Sequence, residues 1–193
     1  VKLIGLCGLI GSGKNTVAEH LMEEHDFISV SFAETLKDAA ACIFGWDRDM
    51  LEGSTSEARA ERELKDEWWS ERLGFDVSPR YMLQFMGTEV MRHNLHSDIW
   101  ALATEKRILE MQRDYPWANF VISDVRFPNE IKMIRRLGGQ IWHVRRGELP
   151  DWFGKNPDHI HESETAWNNE TFDFTLYNDH TIELLKTDID SLI

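Results

Sequence analysis

The sequence predicts an α/β protein in which a parallel sheet of about five strands is covered by helices on both faces. Three observations carry this reading. Five short apolar runs, KLIGLCG, FISVSF, FVISDV, QIWHVRR and FDFTLYN, are separated by stretches whose apolar residues recur at helical spacing. The first run ends in a glycine-rich turn that opens directly into a helix. Helix punctuation is in place, with Gly45 and the Gly138-Gly139 pair as stops and Pro79 as a first-turn residue.

Taken in order, KLIGLCG is a buried strand and NTVAEHLMEEH an amphipathic helix behind the glycine turn. FISVSF is a second strand, followed by the helix AETLKDAAACIFG. From Trp46 to about Leu95 there is no strand pattern, only charged amphipathic helix, including SEARAERELKDEWWSERLG and a helix opened by Pro79. This stretch, about 46–96, reads as a helical insertion. DIWALATEKRILEMQRDY is a further helix, FVISDV a buried strand ending in Asp124, PNEIKMIRRLGG a helix and QIWHVRR a fourth strand. GELPDWFGKNPDHIHESE, rich in Gly, Pro, Asp and His, is expected to form a lid loop at about 147–165. FDFTLYN and TIELLKTDIDSLI supply a last strand and helix. A chain of 193 residues can build one sizeable core, so residues 1–193 are read as a single domain with this insertion and lid.

Composition narrows the function classes. No apolar run approaches the roughly 20 residues of a membrane span, and no basic leader precedes the first strand, so neither a membrane partner nor secretion is expected. Cys7 and Cys42 form no disulfide framework or zinc spacing, which suits a reducing cytoplasm. Twenty-one Lys and Arg stand against 34 Asp and Glu, a net charge of −13 that repels a phosphate polymer at long range. A nucleic-acid polymer is therefore not expected as partner. Any phosphate must be held by a local basic site.

Such a site is written in the sequence GLCGLIGSGKNT. Gly8-x-x-x-x-Gly13-Lys14 has the Walker A spacing of a P-loop, between a strand and a helix. Glycines let backbone N–H groups turn inward around phosphates, Lys14 adds a cation, and the positive end of the following helix adds more. Gly8, Ile10, Gly11, Ser12, Gly13, Lys14, Asn15 and Thr16 are the expected ATP contacts, in a P-loop NTPase-type three-layer fold. Asn15 stands where Ser or Thr is commonest, and Thr16 follows it. The Gly-Lys-x-Thr pattern resembles that of many nucleoside monophosphate kinases, which implies a phosphate contact for Thr16 and a less direct hold on magnesium.

Other residues suggest a second anion. Arg80 and Gln84 lie four apart on one helix face, where one can pair a phosphate and the other a base edge. Gly87-Thr88-Glu89 permits close approach of a ligand or of another backbone, or else Gly87 serves plain close packing within a helix. Asp124 and Arg126 follow a buried strand at the carboxyl end where open parallel sheets bind ligands. There Asp124 can hold magnesium through water, orient Arg126, or cap the next helix. Arg145 and Arg146 close the fourth strand, placed to neutralise a transferring phosphoryl group, and alternation along a strand aims only one of them at the crevice. Arg59 and Arg62 sit among Glu57, Glu61 and Glu63, a setting for helical ion pairs, with reach toward an acceptor as the alternative. Trp68 and Trp69 read as core residues, His93 and His96 as surface residues.

PRYMLQFMGTEVMRHNLHSDIW, ISDVRFPNE, HVRRG and HIHESE occur in this order behind the phosphate loop. Together they resemble the deoxynucleoside monophosphate kinases of bacteriophages, over almost the whole chain. Resemblance implies phosphorylation of deoxynucleoside 5′-monophosphates to diphosphates for DNA precursor synthesis, with ATP as donor, Mg2+ as cofactor and a host-cytoplasm location. It also implies catalytic roles for Lys14, Asp124, Arg126, Arg145 and Arg146. Acceptor contacts are implied for Lys37, Arg59, Arg80, Gln84, Thr88, Glu89, Arg126, His161 and Glu162, and metal contacts for Asn15, Thr16 and Asp124. Alternatives left open are a P-loop kinase acting on dephospho-coenzyme A or a modified base in DNA, a non-catalytic nucleotide-binding switch, and assembly as a homodimer.

Overall fold

The computed structural model describes residues 2–148 and 166–193. The expected lid therefore lies, from residue 149 onward, outside the described residues, as do His161 and Glu162. The chain divides into two compact units: residues 1–31 with 104–193, and residues 32–103.

The first unit holds the sheet. β1 (Leu3–Cys7), β2 (Phe27–Val30), β3 (Asn119–Ile122), β4 (Gln140–Arg145) and β5 (Phe174–Tyr177) form one five-stranded sheet in the order β2-β3-β1-β4-β5. Every pairing is parallel, with β1 flanked by β3 at Leu3↔Phe120 and by β4 at Cys7↔His143. Five strands were expected and five are found. Period-two alternation sorts their side chains. Ile4, Leu6, Val121, Trp142, Val144 and Leu176 share one cluster with Val17, Ala18 and Leu21 of α1 (Lys14–His25) and Leu185 and Ile189 of α9 (Ile182–Asp190). On the opposite face, a Cβ at Gly5 would meet Ile134 of α8 (Pro128–Arg136) at 2.5 Å, so the absent side chain lets α8 lie close to β1. Helices thus cover both faces, the layering that a fully buried parallel sheet requires.

The second unit is helical: α2 (Glu34–Phe44), α3 (Arg48–Glu52), α4 (Ser56–Glu63), α5 (Glu67–Leu73), α6 (Pro79–Gln84), a π-helical segment (Phe85–His93) and the first turn of α7 (Ile99–Asp114). Gly45 ends α2 in a left-handed conformation, as its position suggests, and Ser78 caps α6 ahead of Pro79. Two expectations need correction. SEARAERELKDEWWSERLG is not one helix: Leu64 is extended, and the Asp66 carboxylate accepts the Trp69 amide at 3.0 Å and the Trp46 indole N–H at 2.7 Å, starting α5 afresh. An aspartate that caps and anchors at once outweighs the helical periodicity running through it. The helix opened by Pro79 keeps α geometry for six residues and then widens. At Gly87 a Cβ would press on Leu36 at 2.8 Å, and its carbonyl accepts the buried Trp100 indole N–H at 2.8 Å. The close-packing reading of Gly87 is the one realised.

Among the described residues no helix is long and apolar enough to cross a membrane. Leu21, with no exposed surface, fills the layer between α1 and the sheet. Leu21→Ala is expected to lower the unfolding free energy by about 2–5 kcal/mol through lost burial and a residual cavity. Urea unfolding checks this as a lower midpoint at unchanged slope.

Candidate functional site

The phosphate loop lies between β1 and α1. Gly8, Gly11 and Gly13 all have positive φ, at 150°, 78° and 105°. Sterics require glycine at two of them besides: a Cβ on Gly8 would fall 2.2 Å from the Val144 carbonyl oxygen, and one on Gly13 would fall 2.4 Å from Asn178 Nδ2. Asn178, just past β5, donates its side-chain amide to the Ser12 carbonyl at 3.0 Å, while its backbone N–H donates to the Arg145 carbonyl at 2.7 Å. It ties the loop to the ends of β4 and β5. Gly13 begins α1 with no side-chain cap, so the first amides of α1 have no side-chain acceptor at their cap. Lys14 Nζ donates to the carbonyls of Gly8 and Leu9 at 2.7 and 2.9 Å, which holds the ammonium across the loop. The Ser12 hydroxyl is buried and makes no hydrogen bond. Together these features form an anion cradle, an uncapped helix start with an ammonium and an unsatisfied hydroxyl beside it. Asn15 is exposed and Thr16 half-buried in the first turn of α1.

Beside the loop runs a groove lined by Leu9 to Ser12 on one side and by His143 to Arg146 with Glu148 on the other. Both Arg145 and Arg146 line it. They come to the groove as part of one run, His143 to Arg146, at the end of β4. His143 was not singled out in the sequence. Its ring stacks on Phe172 at 4.7 Å and packs against Trp167 at 5.3 Å. Burial first, and then the cations Arg145 and Lys14, push its pKa down to about 4. The imidazole is therefore neutral at physiological pH. Buried Cys7 behaves as expected of a core thiol: burial above all, then the Glu130 carboxylate, raises its pKa.

Asp124 lies two residues past β3 and accepts the Ser31 hydroxyl at 2.7 Å, linking the ends of β3 and β2. It does not cap α8. That work falls to the buried Glu130, whose Oε2 accepts the amides of Arg126 and Phe127 at 2.8 and 3.0 Å. This arrangement leaves the Arg126 side chain exposed at the strand end.

In the helical unit, Arg80 and Gln84 both lie exposed on α6, four residues apart as expected. Lys37 is half-buried in an ion pair with Glu52 at 2.6 Å, and Glu52 also takes Arg48 at 2.8 Å. Glu89 pairs with His93 at 3.2 Å on the surface, and Thr88 is half-buried in the π-helical segment. Trp69 packs on Phe44 as a core residue would, but Trp68 is exposed under the Arg72 guanidinium. Helical ion pairs do not engage Arg59 and Arg62. Arg59 donates to the carbonyls of Gly53 and Ser54, both at 3.0 Å, and Arg62 donates to the Leu51 carbonyl at 3.2 Å. A Cβ at Gly53, φ +68°, would fall 2.5 Å from Arg62 Cζ, so glycine makes room for this guanidinium. Arg62 Nε is buried without a hydrogen bond. Burial, and next the charge of Arg80, push the Arg62 pKa down. Arg80 and, less strongly, Arg59 thus add positive charge around Arg62, which Glu63 and Glu52 offset in part without forming an ion pair to it. The charge of Arg62 was visible in the sequence; its burial, which comes from Gly53, was not.

A model of the deoxynucleotide monophosphate kinase family matches residues 46–189. The chain belongs to that family. A protein of Acanthamoeba polyphaga mimivirus named as a deoxynucleotide monophosphate kinase is 33% identical over 99% of this chain and 95% of its own. The deoxynucleoside-5′-monophosphate kinase of Escherichia phage T5 is 28% identical over 69% of this chain and 71% of its own. Among solved structures, TT1252 of Thermus thermophilus shares the fold at a TM-score of 0.51 and 15% identity, over 99% of this chain and 95% of its own. The family match takes in the arginine cluster and the ends of β3 and β4, whereas the phosphate loop precedes it.

The neutral His143 ring carries a pH consequence. Its pKa is about 4 in the folded protein against 6.5 as a free side chain, so between those values the unfolded chain binds a proton that the folded one does not. Stability due to His143 is present above pH 6.5 and is lost as pH falls toward 4. His143→Phe is expected to flatten the fall of Tm across that interval, read from thermal melts at several pH values.

Proposed function

We propose that this enzyme transfers the γ-phosphoryl group of ATP to the 5′-phosphate of a deoxynucleoside monophosphate, giving the diphosphate. One observation carries the assignment of its two anion sites: the phosphate loop of the sheet unit holds Lys14 and the open start of α1, while in the helical unit Arg59, Arg62 and Arg80 form no ion pair among the described residues. Lys14 and the loop amides bind the donor phosphates. Arg62 and Arg80 grip the acceptor phosphate, with Gln84 toward its base.

An acceptor phosphate is already ionised, so the reaction calls for no general base. Catalysis consists of alignment and charge dispersal, for which Arg145 and Arg146 in the groove beside the loop and Arg126 past the end of β3 are the candidate cations; an arginine in this role supplies about 10^3 to 10^5 in rate. Magnesium fits the residues present. The unsatisfied Ser12 hydroxyl, Thr16, and Asp124, directly or through water, form an all-oxygen set of the kind that ion prefers. When bound, it neutralises charge on the donor phosphates. Neutral His143 walls the groove without adding charge, so Arg145 and Arg146, against the single carboxylate of Glu148 in the lining, set its potential. His161 and Glu162, implied acceptor contacts, lie outside the described residues.

An overall charge of −13 favours a mononucleotide over a polymer as acceptor. The test offers labelled ATP with each deoxynucleoside monophosphate, with ribonucleotides and with oligonucleotides, at two salt concentrations. Label is expected on mononucleotides. Label confined to oligonucleotides, falling steeply with salt, would overturn the assignment.

Arg62→Ala is expected to raise the acceptor KM about 10- to 100-fold, the equivalent of a charge-assisted hydrogen bond of roughly 1.5–3 kcal/mol, with the ATP KM little changed. Arg80→Ala acts in the same direction. Steady-state kinetics with each nucleotide varied in turn checks both; equal weakening toward ATP and acceptor removes them from the acceptor site.

A further inference from the structure

His20, His25 and Asp190 form a cluster that phosphoryl transfer does not use. His25 ends α1, eleven residues or about 17 Å along the helix from Lys14. Asp190 is the last residue of α9. Both imidazole Nε2 atoms lie 2.7 Å from the same oxygen, Asp190 Oδ1, and the three donor atoms fall within 4.8 Å of one another. Among the described residues this is the one group of three His, Cys, Asp or Glu side chains with that convergence. The rings meet edge to face at 5.6 Å, which aims the two nitrogens at one point.

We propose that these three side chains bind a divalent cation of the borderline, imidazole-preferring class, with Zn2+ as its representative. Two imidazoles and a carboxylate are the ligand types such an ion selects, while Mg2+, which prefers oxygen, is selected against. Bond lengths of about 2.0–2.2 Å around a tetrahedral ion set ligand atoms roughly 3.3 Å apart. The two Nε2–Oδ1 separations of 2.7 Å are shorter than that spacing, so the side chains rotate apart to admit the ion.

Tautomer chemistry is compatible with the change. As ligands both rings carry a proton on Nδ1, and the Nε2 hydrogen bonds to Asp190 are exchanged for bonds to the ion. His20 Nδ1 is buried and makes no hydrogen bond, so that ring is held through Nε2 and Asp190 alone. His20 is buried, which fixes one ligand rigidly, while Asp190 is half-exposed and opens the site to entry from solvent. Three protein ligands leave a fourth position to water. The ion would join the end of α1, whose first turn carries Lys14, to the end of the chain's last helix.

The experiment uses the full chain after chelator treatment, with Zn2+ itself as probe, titrated in competition with a chromophoric chelator. His25→Gln and Asp190→Asn are the variants, since both side chains are partly exposed and circular dichroism verifies their folds. One Zn2+ per wild-type chain is expected, with affinity at least tenfold lower in each variant and kinase turnover with Mg2+ and ATP unchanged. Co2+ in place of Zn2+ is expected to give the visible bands of a tetrahedral site in wild type and not in Asp190→Asn. Absence of stoichiometric Zn2+ uptake by the wild type would overturn the proposal. So would wild-type affinity in both variants, which would assign uptake to other side chains.

Discussion

The organisation of the sheet unit depends on one steric constraint, the seating of the phosphate loop against the backbone of β4. With the Val144 carbonyl 2.2 Å from where a Gly8 side chain would begin, the loop can pass only as bare backbone. Parallel pairing of Cys7 with His143 brings β4 to that position, and pairing of Arg145 with Tyr177 aligns β5 so that Asn178 reaches the Ser12 carbonyl. Arg145 and His143 come to line the groove through the same registers. A slip of one residue in β4 would exchange its buried and groove-facing side chains and remove the seat of the loop together.

That constraint explains why the loop was legible in the sequence. Backbone forced to positive φ and close approach leaves glycine as the one residue that fits, so the requirement is printed as Gly8, Gly11 and Gly13. The strands were legible because burial on both faces makes them continuous apolar runs. Features set by side-chain partnerships could not be read in the same way. Asp66 breaks a helical repeat because it meets Trp46, and nothing in the local pattern of SEARAERELKDEWW marks that meeting. The widened helix after Phe85 accommodates Gly87 among Leu36 and Trp100, residues far from it in sequence. Asp124 looked like a cap for α8, but Glu130 performs the capping and Ser31 engages the aspartate.

Charge follows a similar division. A chain with 13 more acidic than basic charges keeps anions away in general, so its few unneutralised cations acquire selectivity. Lys37 and Arg48 are neutralised by Glu52, whereas Arg59 and Arg62 spend their donors on backbone carbonyls that bear no net charge. Carbonyls orient a guanidinium without cancelling it. Gly53 contributes by omission, since any side chain there would displace the Arg62 guanidinium. A lysine at position 62 would retain the charge but not the planar fork, part of which can face an anion while another part holds Leu51.

Among the described residues of the groove, Glu148 is the carboxylate and His143 the imidazole, and the setting of His143 bears on the class of acceptor. Transfer to a hydroxyl, as in a sugar or a modified base, calls for a group that removes its proton. His143 has the right chemistry but the wrong setting: burial and two neighbouring cations make its protonated form unfavourable down to about pH 4, and its ring faces are taken up by Phe172 and Trp167. Asp124 is engaged by the Ser31 hydroxyl, and Glu130 is buried with Oε2 taken by two amides. A phosphate acceptor arrives with its nucleophilic oxygen already ionised and needs cations instead, which this protein supplies as arginines in both units. The same environment that spoils His143 as a base, the electropositive groove of Lys14 and Arg145, is what a transferring phosphoryl group requires. Family membership points to a phosphate acceptor, and the arginines of the groove suit the charge such a transfer disperses.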